Sequence, residues 1–151
     1  MNFMSDLIEN CIAFGIYPDQ EQVEHLSENG FTVCVDLTEQ EYSTYTFDLK
    51  IRYPIKDTKI PENFNSFDIL VGIICNLINS GQKIYIHCMH GRGRSSMTVA
   101  CVLGKCLKIS ADQALELVND AYKKGHGKYS NSTVPPHKQQ RKFIRQYLRE
   151  P

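Results

Sequence analysis

The sequence predicts an α/β fold, a single three-layer domain in which helices flank a central sheet of four or five strands. Short apolar or alternating segments, which have the period of strands, are separated by longer segments with an apolar residue at every third or fourth position. Strands that alternate with helices in this way usually form a parallel sheet covered on both faces. The chain has 151 residues, enough for one domain with a sizeable core.

Four segments have the pattern of a β-strand. Residues 31–37 are almost all apolar, which is typical of a strand buried on both faces, whereas residues 47–53 alternate. The first predicted strand, residues 12–17, ends before Pro18, and the fourth begins at Ile84.

The predicted helices lie between and after these strands. Asp19 and Ser110 are placed to accept hydrogen bonds from the first turns of two of them, and Gly30 and Gly81 are typical residues at which a helix stops. We expect helices at residues 20–29, 62–80, 95–108, 111–122 and 136–148, with a loop at residues 125–136 before the last one.

Composition favours a globular protein that dissolves in water, because 42% of the residues are hydrophobic and 23% are charged. Net charge is zero, but residues 1–50 carry ten acids and one lysine, whereas residues 121–151 carry eight Lys or Arg and one Glu. The amino terminus lacks the pattern of a signal peptide, and the longest apolar run, residues 69–75, is too short to cross a bilayer. We therefore expect no stable membrane insertion and a cytoplasmic location, with the nucleus also accessible.

Six cysteines occur, at positions 11, 34, 75, 88, 101 and 106. An even number could form three disulfides, but an intracellular location argues against them. Cys34, Cys75 and Cys101 have aliphatic neighbours, and we expect them to be free thiols in the core. Because no Cys-x-x-Cys pair occurs, we expect no zinc site.

The most informative stretch of the chain is residues 84–96. It begins as a strand, turns through two glycines and continues into a predicted helix, an arrangement that points backbone N–H groups at an anion. Cys88 opens the loop, and the helix terminus together with the guanidinium of Arg94 favours its thiolate form. Arg94 can hold two phosphate oxygens, and Ser95 can donate a hydrogen bond to the sulfur. These residues predict nucleophilic attack on phosphorus.

This His-Cys-x5-Arg-Ser run resembles the active-site loop of the cysteine-dependent protein tyrosine phosphatase superfamily, and it is most similar to the small dual-specificity branch. The resemblance covers residues 11–149 and implies the three-layer fold, Cys88 as nucleophile and no metal or other cofactor. Ser96 departs from the family, which usually has glycine there. The substrate-binding loop implied by the resemblance consists of Met89, His90, Gly91, Arg92, Gly93 and Arg94.

A general acid is expected 31 residues before Cys88. Asp57 lies between two prolines, Pro54 and Pro61, in a segment that resembles the general-acid loop of the family. A carboxylic acid on a movable loop can give a proton to the departing ester oxygen, and Asp57 would then act as a base toward water. Asp36, at the end of a predicted strand, is the alternative acid, although a structural role is expected for it.

Two further residues are expected to support the site. His87, on the strand side of Cys88, is expected to fix the geometry of the loop by hydrogen bonds. Gln140 resembles the glutamine that precedes Phe-Ile in the family. The water-positioning glutamine of the long tyrosine-specific enzymes would fall at Pro136, so we expect that Asp57 activates water alone.

The resemblance implies a phosphoprotein phosphatase that forms a phosphocysteine and accepts phosphotyrosine and phosphoserine or phosphothreonine, since the tyrosine-recognition loop of the long enzymes has no counterpart here. His90 and Arg92 leave an RNA 5′-phosphatase or a phosphoinositide phosphatase as the alternative, because these features occur in such members too. The basic helix near the carboxyl terminus would also suit a polyanionic substrate. A phosphoprotein-binding pseudophosphatase is a third hypothesis. Such a protein would be expected to have lost one of the residues at positions 88, 94 and 57, but Cys88, Arg94 and Asp57 are all present.

Residues 1–10 precede the expected catalytic domain, residues 11–151. Phe3, Met4, Leu7 and Ile8 have helical spacing, and we expect an apolar helical extension there. Such a segment could pack on its own domain or dock on a second copy by exchange. We therefore expect either a monomer or a homodimer formed through this segment.

Overall fold

Four parallel strands form one sheet, in the order β1-β4-β2-β3, in the computed structural model, which describes residues 3–42, 44–126 and 133–149. The central strand β4 pairs with both β1 and β2, whereas β3 lies at an edge, where Leu49 is 42% exposed. The predicted α/β class is confirmed, and the sheet has four strands, within the predicted range of four or five. The strands are β1 (Ile12–Gly15), β2 (Val33–Asp36), β3 (Leu49–Arg52) and β4 (Ile84–His87).

Five helices occur in the described part of the chain, close to the predicted positions. Asp19 begins the first with a capping box, because its carboxylate accepts from the N–H of Gln22 at 2.8 Å while the Gln22 side chain accepts from the N–H of Asp19 at 3.0 Å. None of the described helices has both the length and the apolar character needed to cross a bilayer. The helices are α1 (Gln20–Glu28), α2 (Phe64–Asn79), α3 (Arg94–Leu107), α4 (Ala111–His126) and α5 (Lys138–Tyr147).

Alternate side chains of the strands divide the core into two clusters, one on each face of the sheet. Ala13, Cys34 and Tyr85 pack with residues of α1, including Leu26. The residues between them in the strands, such as Ile86, pack against α2, α3, α4 and α5 on the other face. This division gives the three-layer arrangement, with the sheet between α1 on one face and the other helices on the opposite face.

The predicted amino-terminal helix is wrong for residues 3–10. The segment instead runs antiparallel beside β1, where the N–H of Ser5 donates to the carbonyl of Phe14 at 2.7 Å and the N–H of Ile16 donates to that of Phe3 at 3.0 Å. Because β1 is the first strand of the sheet, its outer N–H and C=O groups need partners, and the segment supplies them. The division between residues 10 and 11 stays a prediction.

Cys75 and Cys106 form a disulfide between α2 and α3, so the expectation that Cys75 is a free thiol is wrong. The Cα atoms of the two residues lie 5.6 Å apart, within the range that a disulfide needs. A sequence separation of 31 residues gave no sign that the two helices bring these side chains together. Cys88 is free, as are Cys11, Cys34 and Cys101. Half of the predicted loop at residues 125–136, namely residues 127–132, lies outside the described residues, and α4 extends to His126.

Candidate active site

The loop of residues 88–94 (the phosphate loop) joins the carboxyl end of β4 to the amino end of α3. Cys88 is only 2% exposed, and its Sγ lies 3.4 Å from the Oγ of Ser95, within hydrogen-bonding distance. Gly93 precedes the helix and has no side chain with which to cap it. The first N–H groups of α3 are therefore left to attract an anion beside the Cys88 sulfur.

The shape of the phosphate loop depends on close contact with the segment after β1. Gly91 has a φ of +71°, and a Cβ atom there would lie 2.5 Å from the backbone carbon of Gly15. The N–H of Tyr17 donates to the carbonyl of Met89 at 3.2 Å, which ties the loop to the same segment. Ser96 strengthens the far side, because its hydroxyl donates to the backbone carbonyl of Arg92. The departure from glycine at this position therefore adds a hydrogen bond to the loop.

Two guanidinium groups lie in the phosphate loop. Arg94 is 4% exposed, and its Nη1 donates to the carbonyl of Ile55 at 3.0 Å while its Nη2 lies 3.5 Å from the carboxylate of Asp57. The Nε atoms of both Arg94 and Arg92 are buried and find no acceptor in the described part of the chain. Buried donors without acceptors are costly, and a phosphate oxygen would satisfy them.

Asp57 lies in the segment of residues 54–61 (the acid loop), which the structure brings to Arg94. Its side chain is 62% exposed, so it stands at the open edge of the site. Its backbone N–H donates to the Glu39 carboxylate at 3.0 Å, and its own carboxylate accepts from the N–H of Thr58 at 3.0 Å. The sequence did not indicate Glu39, which lies in a different loop.

Asp36, the alternative acid, is buried at the end of β2 and stabilises the segment that follows this strand. It is fully buried, and its Oδ1 accepts from the N–H and the hydroxyl of Thr38 at 2.9 and 2.6 Å. Arg52 approaches the other oxygen at 3.5 Å. These partners agree with a structural carboxylate and leave no route by which it could donate a proton to a substrate.

His87 lies directly beneath Cys88 and is fully buried. Its Nδ1 lies 3.3 Å from the carbonyl of Cys88 and its Nε2 lies 2.6 Å from the hydroxyl of Tyr45. Burial lowers the pKa of His87 to about 4, although the charge of Asp36 opposes this, so the ring is neutral near pH 7. In the neutral ring, Nδ1–H donates to Cys88 and Nε2 accepts from Tyr45. Tyr45 is 42 residues from His87 in sequence, and no local pattern indicated their contact.

Gln140 is fully buried where α5 meets both loops, and its Nε2 donates to the carbonyl of Lys59 at 3.2 Å. Its neighbour Gln139, for which no sequence pattern indicated a role, donates to the carbonyl of Thr58 at 2.8 Å. The structure thus brings every predicted site residue to one end of the sheet.

Across the ranges that the structure describes, the His, Cys, Asp and Glu side chains form no group of three or more that could hold a metal ion.

The chain matches a family model described as "Polymorphic toxin system, DSP-PTPase phosphatase" over residues 12–106, from β1 to the last turn of α3. The chain belongs to this phosphatase family. It is also 39% identical, over 126 residues, to "Putative tyrosine phosphatase 067L" of Invertebrate iridescent virus 3, a match that covers 78% of this chain and 52% of the relative. The chain therefore spans about half the length of that curated relative. The predicted membership in the tyrosine phosphatase superfamily is confirmed.

Solved phosphatase structures have the same fold. Tk-PTP in its active form superimposes with a TM-score of 0.78 at 20% identity, with 95% of each chain covered. PTPMT1 in complex with PI(5)P superimposes with a TM-score of 0.78 at 16% identity, covering 94% of this chain and 92% of that one. At such low identity these likenesses show the fold, and the chemistry must be argued from the site itself.

Proposed function

We propose that this DSP-PTPase family member hydrolyses phosphate monoesters on proteins, both phosphotyrosine and phosphoserine or phosphothreonine, through a phosphocysteine. The observation that carries the proposal is the meeting of three groups at one end of the sheet. Arg94 contacts the acid loop through Ile55 and Asp57, and it closes the loop that Cys88 opens. A nucleophile, a phosphate-binding guanidinium and a carboxyl group are the parts that phosphoryl transfer needs.

In the first step, the Cys88 thiolate attacks phosphorus and the bond to the substrate oxygen breaks. The backbone N–H groups of the phosphate loop and the guanidinium of Arg94 hold the other phosphate oxygens and stabilise the charge of the transition state. Protonated Asp57 gives its proton to the leaving oxygen. Because Asp57 is 62% exposed, a protein side chain can reach it without entering a deep cleft, which supports a substrate range that includes short side chains.

In the second step, water attacks the phosphocysteine and the sulfur departs as a thiolate. Asp57, now ionised, takes a proton from the water. Ser95, whose hydroxyl lies 3.4 Å from the sulfur, donates a hydrogen bond that stabilises the leaving thiolate. His87 acts only on the geometry, since its ring bonds to the backbone carbonyl of Cys88 and is fully buried.

A substrate with a second phosphate group is the alternative, and one observation favours it. The buried Nε of Arg92 finds no acceptor among the described residues, and His90 beside it is exposed. A second phosphate, as in the 5′ end of an RNA or in a phosphoinositide, could accept from Arg92. Under this alternative, Arg92→Leu lowers kcat/KM for those substrates by about tenfold and changes hydrolysis of phosphopeptides little.

We place the enzyme in the cytoplasm as a monomer. A reducing compartment would protect the Cys88 sulfur from oxidation. The ring of Phe3 is 6% exposed and packs against His25 and Tyr85 of its own domain, which supports the monomer over exchange of the amino-terminal segment.

The proposal is tested by hydrolysis of an aryl phosphate in the presence of a chelator. We expect turnover by the wild type and a loss of at least about a thousandfold in kcat for Cys88→Ser. Cys11→Ser is the matched control, because Cys11 is also a free thiol but lies outside the site. Activity that survives Cys88→Ser, or a wild type that hydrolyses neither the aryl phosphate nor phosphopeptides, would contradict the proposal.

A further inference from the structure

We infer that Gln139 and Gln140 of α5 act as positioning residues that hold the acid loop against the phosphate loop and so place Asp57 for proton transfer. The inference rests on the proposed function for its catalytic consequence. The structural part, that α5 fixes the position of the acid loop, stands on the contacts of the two glutamines alone.

The two side-chain amides bind successive carbonyl groups of the acid loop. The Nε2 of Gln139 donates to the carbonyl of Thr58 at 2.8 Å, and the Nε2 of Gln140 donates to that of Lys59 at 3.2 Å. Both carbonyls come immediately after Asp57 in the chain. Two adjacent hydrogen bonds from one helix therefore fix the backbone that carries the predicted acid.

The backbone at this point has a conformation that needs outside support. Thr58 has a φ of +68°, a left-handed value that is unusual for a β-branched residue. It lies in a tight turn in which the N–H of Lys59 donates to the carbonyl of Lys56 at 3.0 Å. The hydrogen bond from Gln139 to the Thr58 carbonyl stabilises this turn, and without it other conformations of the loop gain population.

Gln140 connects the acid loop to the phosphate loop. Its side chain is fully buried, and it lies against Gly93, where an added Cβ atom would come within 3.0 Å of its Oε1. That oxygen finds no donor within the described ranges. A single buried carboxamide thus bonds to the backbone of the acid loop and lies beside Gly93 of the phosphate loop, and we expect its position to set the distance between the two loops.

The other hydrogen bonds that the acid loop receives from outside do not reach the backbone after Asp57, and one of them joins the N–H of Ile55 to the carbonyl of Leu37 at 3.0 Å. Arg94 holds the loop through the carbonyl of Ile55 and the carboxylate of Asp57, but the same guanidinium has to bind phosphate. Glu39 reaches only the N–H of Asp57 and is itself on an exposed loop. The contacts from α5 do not involve any group that reacts, so they can persist through both steps.

Limited digestion with trypsin tests the structural part without any need for activity. Lys56 and Lys59 are both exposed cleavage sites within the acid loop. We expect Gln139→Leu and Gln140→Leu to increase the rate of cleavage at these two lysines by about fivefold each, the effect of one lost hydrogen bond. Gln146→Leu is the matched control, because Gln146 is an exposed glutamine on the same helix, and trypsin should cleave this variant at the wild-type rate. Equal cleavage in all four proteins overturns the inference.

The catalytic part is tested with two aryl phosphates, one with a leaving phenol of high pKa and one with a leaving phenol of low pKa. Only the first needs a well-placed acid. We expect the Gln139→Leu and Gln140→Leu variants to lose about fivefold in kcat on the high-pKa substrate and little on the low-pKa substrate. Asp57→Asn should show the same split more strongly. A variant that loses activity equally on both substrates has a general structural defect, and this result would contradict the inference.

The two experiments separate the inference from the proposed function. A wild type that hydrolyses neither substrate refutes the proposed function, while the digestion still decides whether α5 holds the loop. A wild type that is active, with variants that keep the wild-type ratio between the two substrates, refutes the inference and leaves the proposed function in place. Because Gln139 is exposed, its substitution is not expected to impair folding, and it serves as the second variant if Gln140→Leu is unstable.

Discussion

At the scale of single residues, His87 shows how a buried polar group can hold a reactive cysteine in place. The ring bonds the Cys88 carbonyl on one side and the Tyr45 hydroxyl on the other, at 3.3 and 2.6 Å. Burial also raises the pKa of Tyr45, so its hydroxyl keeps the proton that it donates to the ring. The fixed tautomer then keeps one N–H for the Cys88 carbonyl.

The pKa of His87, about 4 in the folded protein, predicts a loss of stability in acid. An unfolded chain binds this proton with a pKa of about 6.5, so the unfolded state takes up more protons than the native state between these values. The free energy of unfolding should therefore fall as the pH decreases from about 6.5 toward 4, by about 2 to 3 kcal/mol from this residue at about pH 4.5. Urea denaturation of the wild type and of His87→Gln, at pH 7 and at about pH 4.5, measures this loss of stability.

The variant lacks the ionising ring, and its loss of stability between the two pH values should be smaller than that of the wild type by the same amount. His137→Gln is the matched control, because that histidine is only half-buried at the start of α5. Equal losses in the wild type and in His87→Gln would show that the ring is not held neutral by burial.

The residues of the phosphate loop could be predicted because their chemistry is local. Cys88, Arg94 and Ser95 lie within eight consecutive positions, and the strand before them and the helix after them fix their geometry. The contacts of Tyr45, Glu39 and Gln139 could not be predicted in this way. Each joins residues at least 18 positions apart, and only the folded chain brings them together.

At the scale of elements, the helices and strands follow the sequence closely, because most of them have both a periodic apolar face and a recognisable end. Asp19 caps α1 as predicted, and Asn63 caps α2 by accepting from the N–H of Ser66 at 2.8 Å. Residues 3–10 are the exception, because they were predicted to be helical and are not. Their apolar residues have helical spacing, but the outer edge of β1 needs hydrogen-bond partners, and the segment pairs with that edge instead.

The amino-terminal segment is expected to contribute to stability through Phe3. The ring is buried and makes edge contacts with Tyr85 at 6.1 Å and with His25 at 6.4 Å. Phe3→Ala should lower the free energy of unfolding by about 3 kcal/mol, because it leaves a cavity beside α1. Urea denaturation measures the change. Asp6→Ala, at an exposed position in the same segment, is the control and should change the free energy of unfolding by less than about 0.5 kcal/mol. If Phe3→Ala also changes it by less than that, the segment does not pack on its own domain.

At the scale of the whole molecule, the fold separates the two tasks of the site. The phosphate loop is fixed between the central strand and α3, both of which are buried. The acid loop lies at the surface and is held from outside by Arg94 and α5. Under the proposed mechanism, a buried phosphate loop with an exposed carboxyl group held above it suits a reaction in which Asp57 first gives a proton and then accepts one.

Mass spectrometry of the intact protein after an acid quench shows whether the Cys88 sulfur accepts the phosphoryl group. We use Asp57→Asn, which lacks the base for the second step, with an aryl phosphate whose phenol leaves without a proton. We expect a mass increase of one phosphoryl group that maps to the peptide containing Cys88 and disappears in the Asp57→Asn, Cys88→Ser double variant. Turnover without any phosphorylated protein, or a phosphoryl group on another residue, would refute the role of Cys88 as nucleophile.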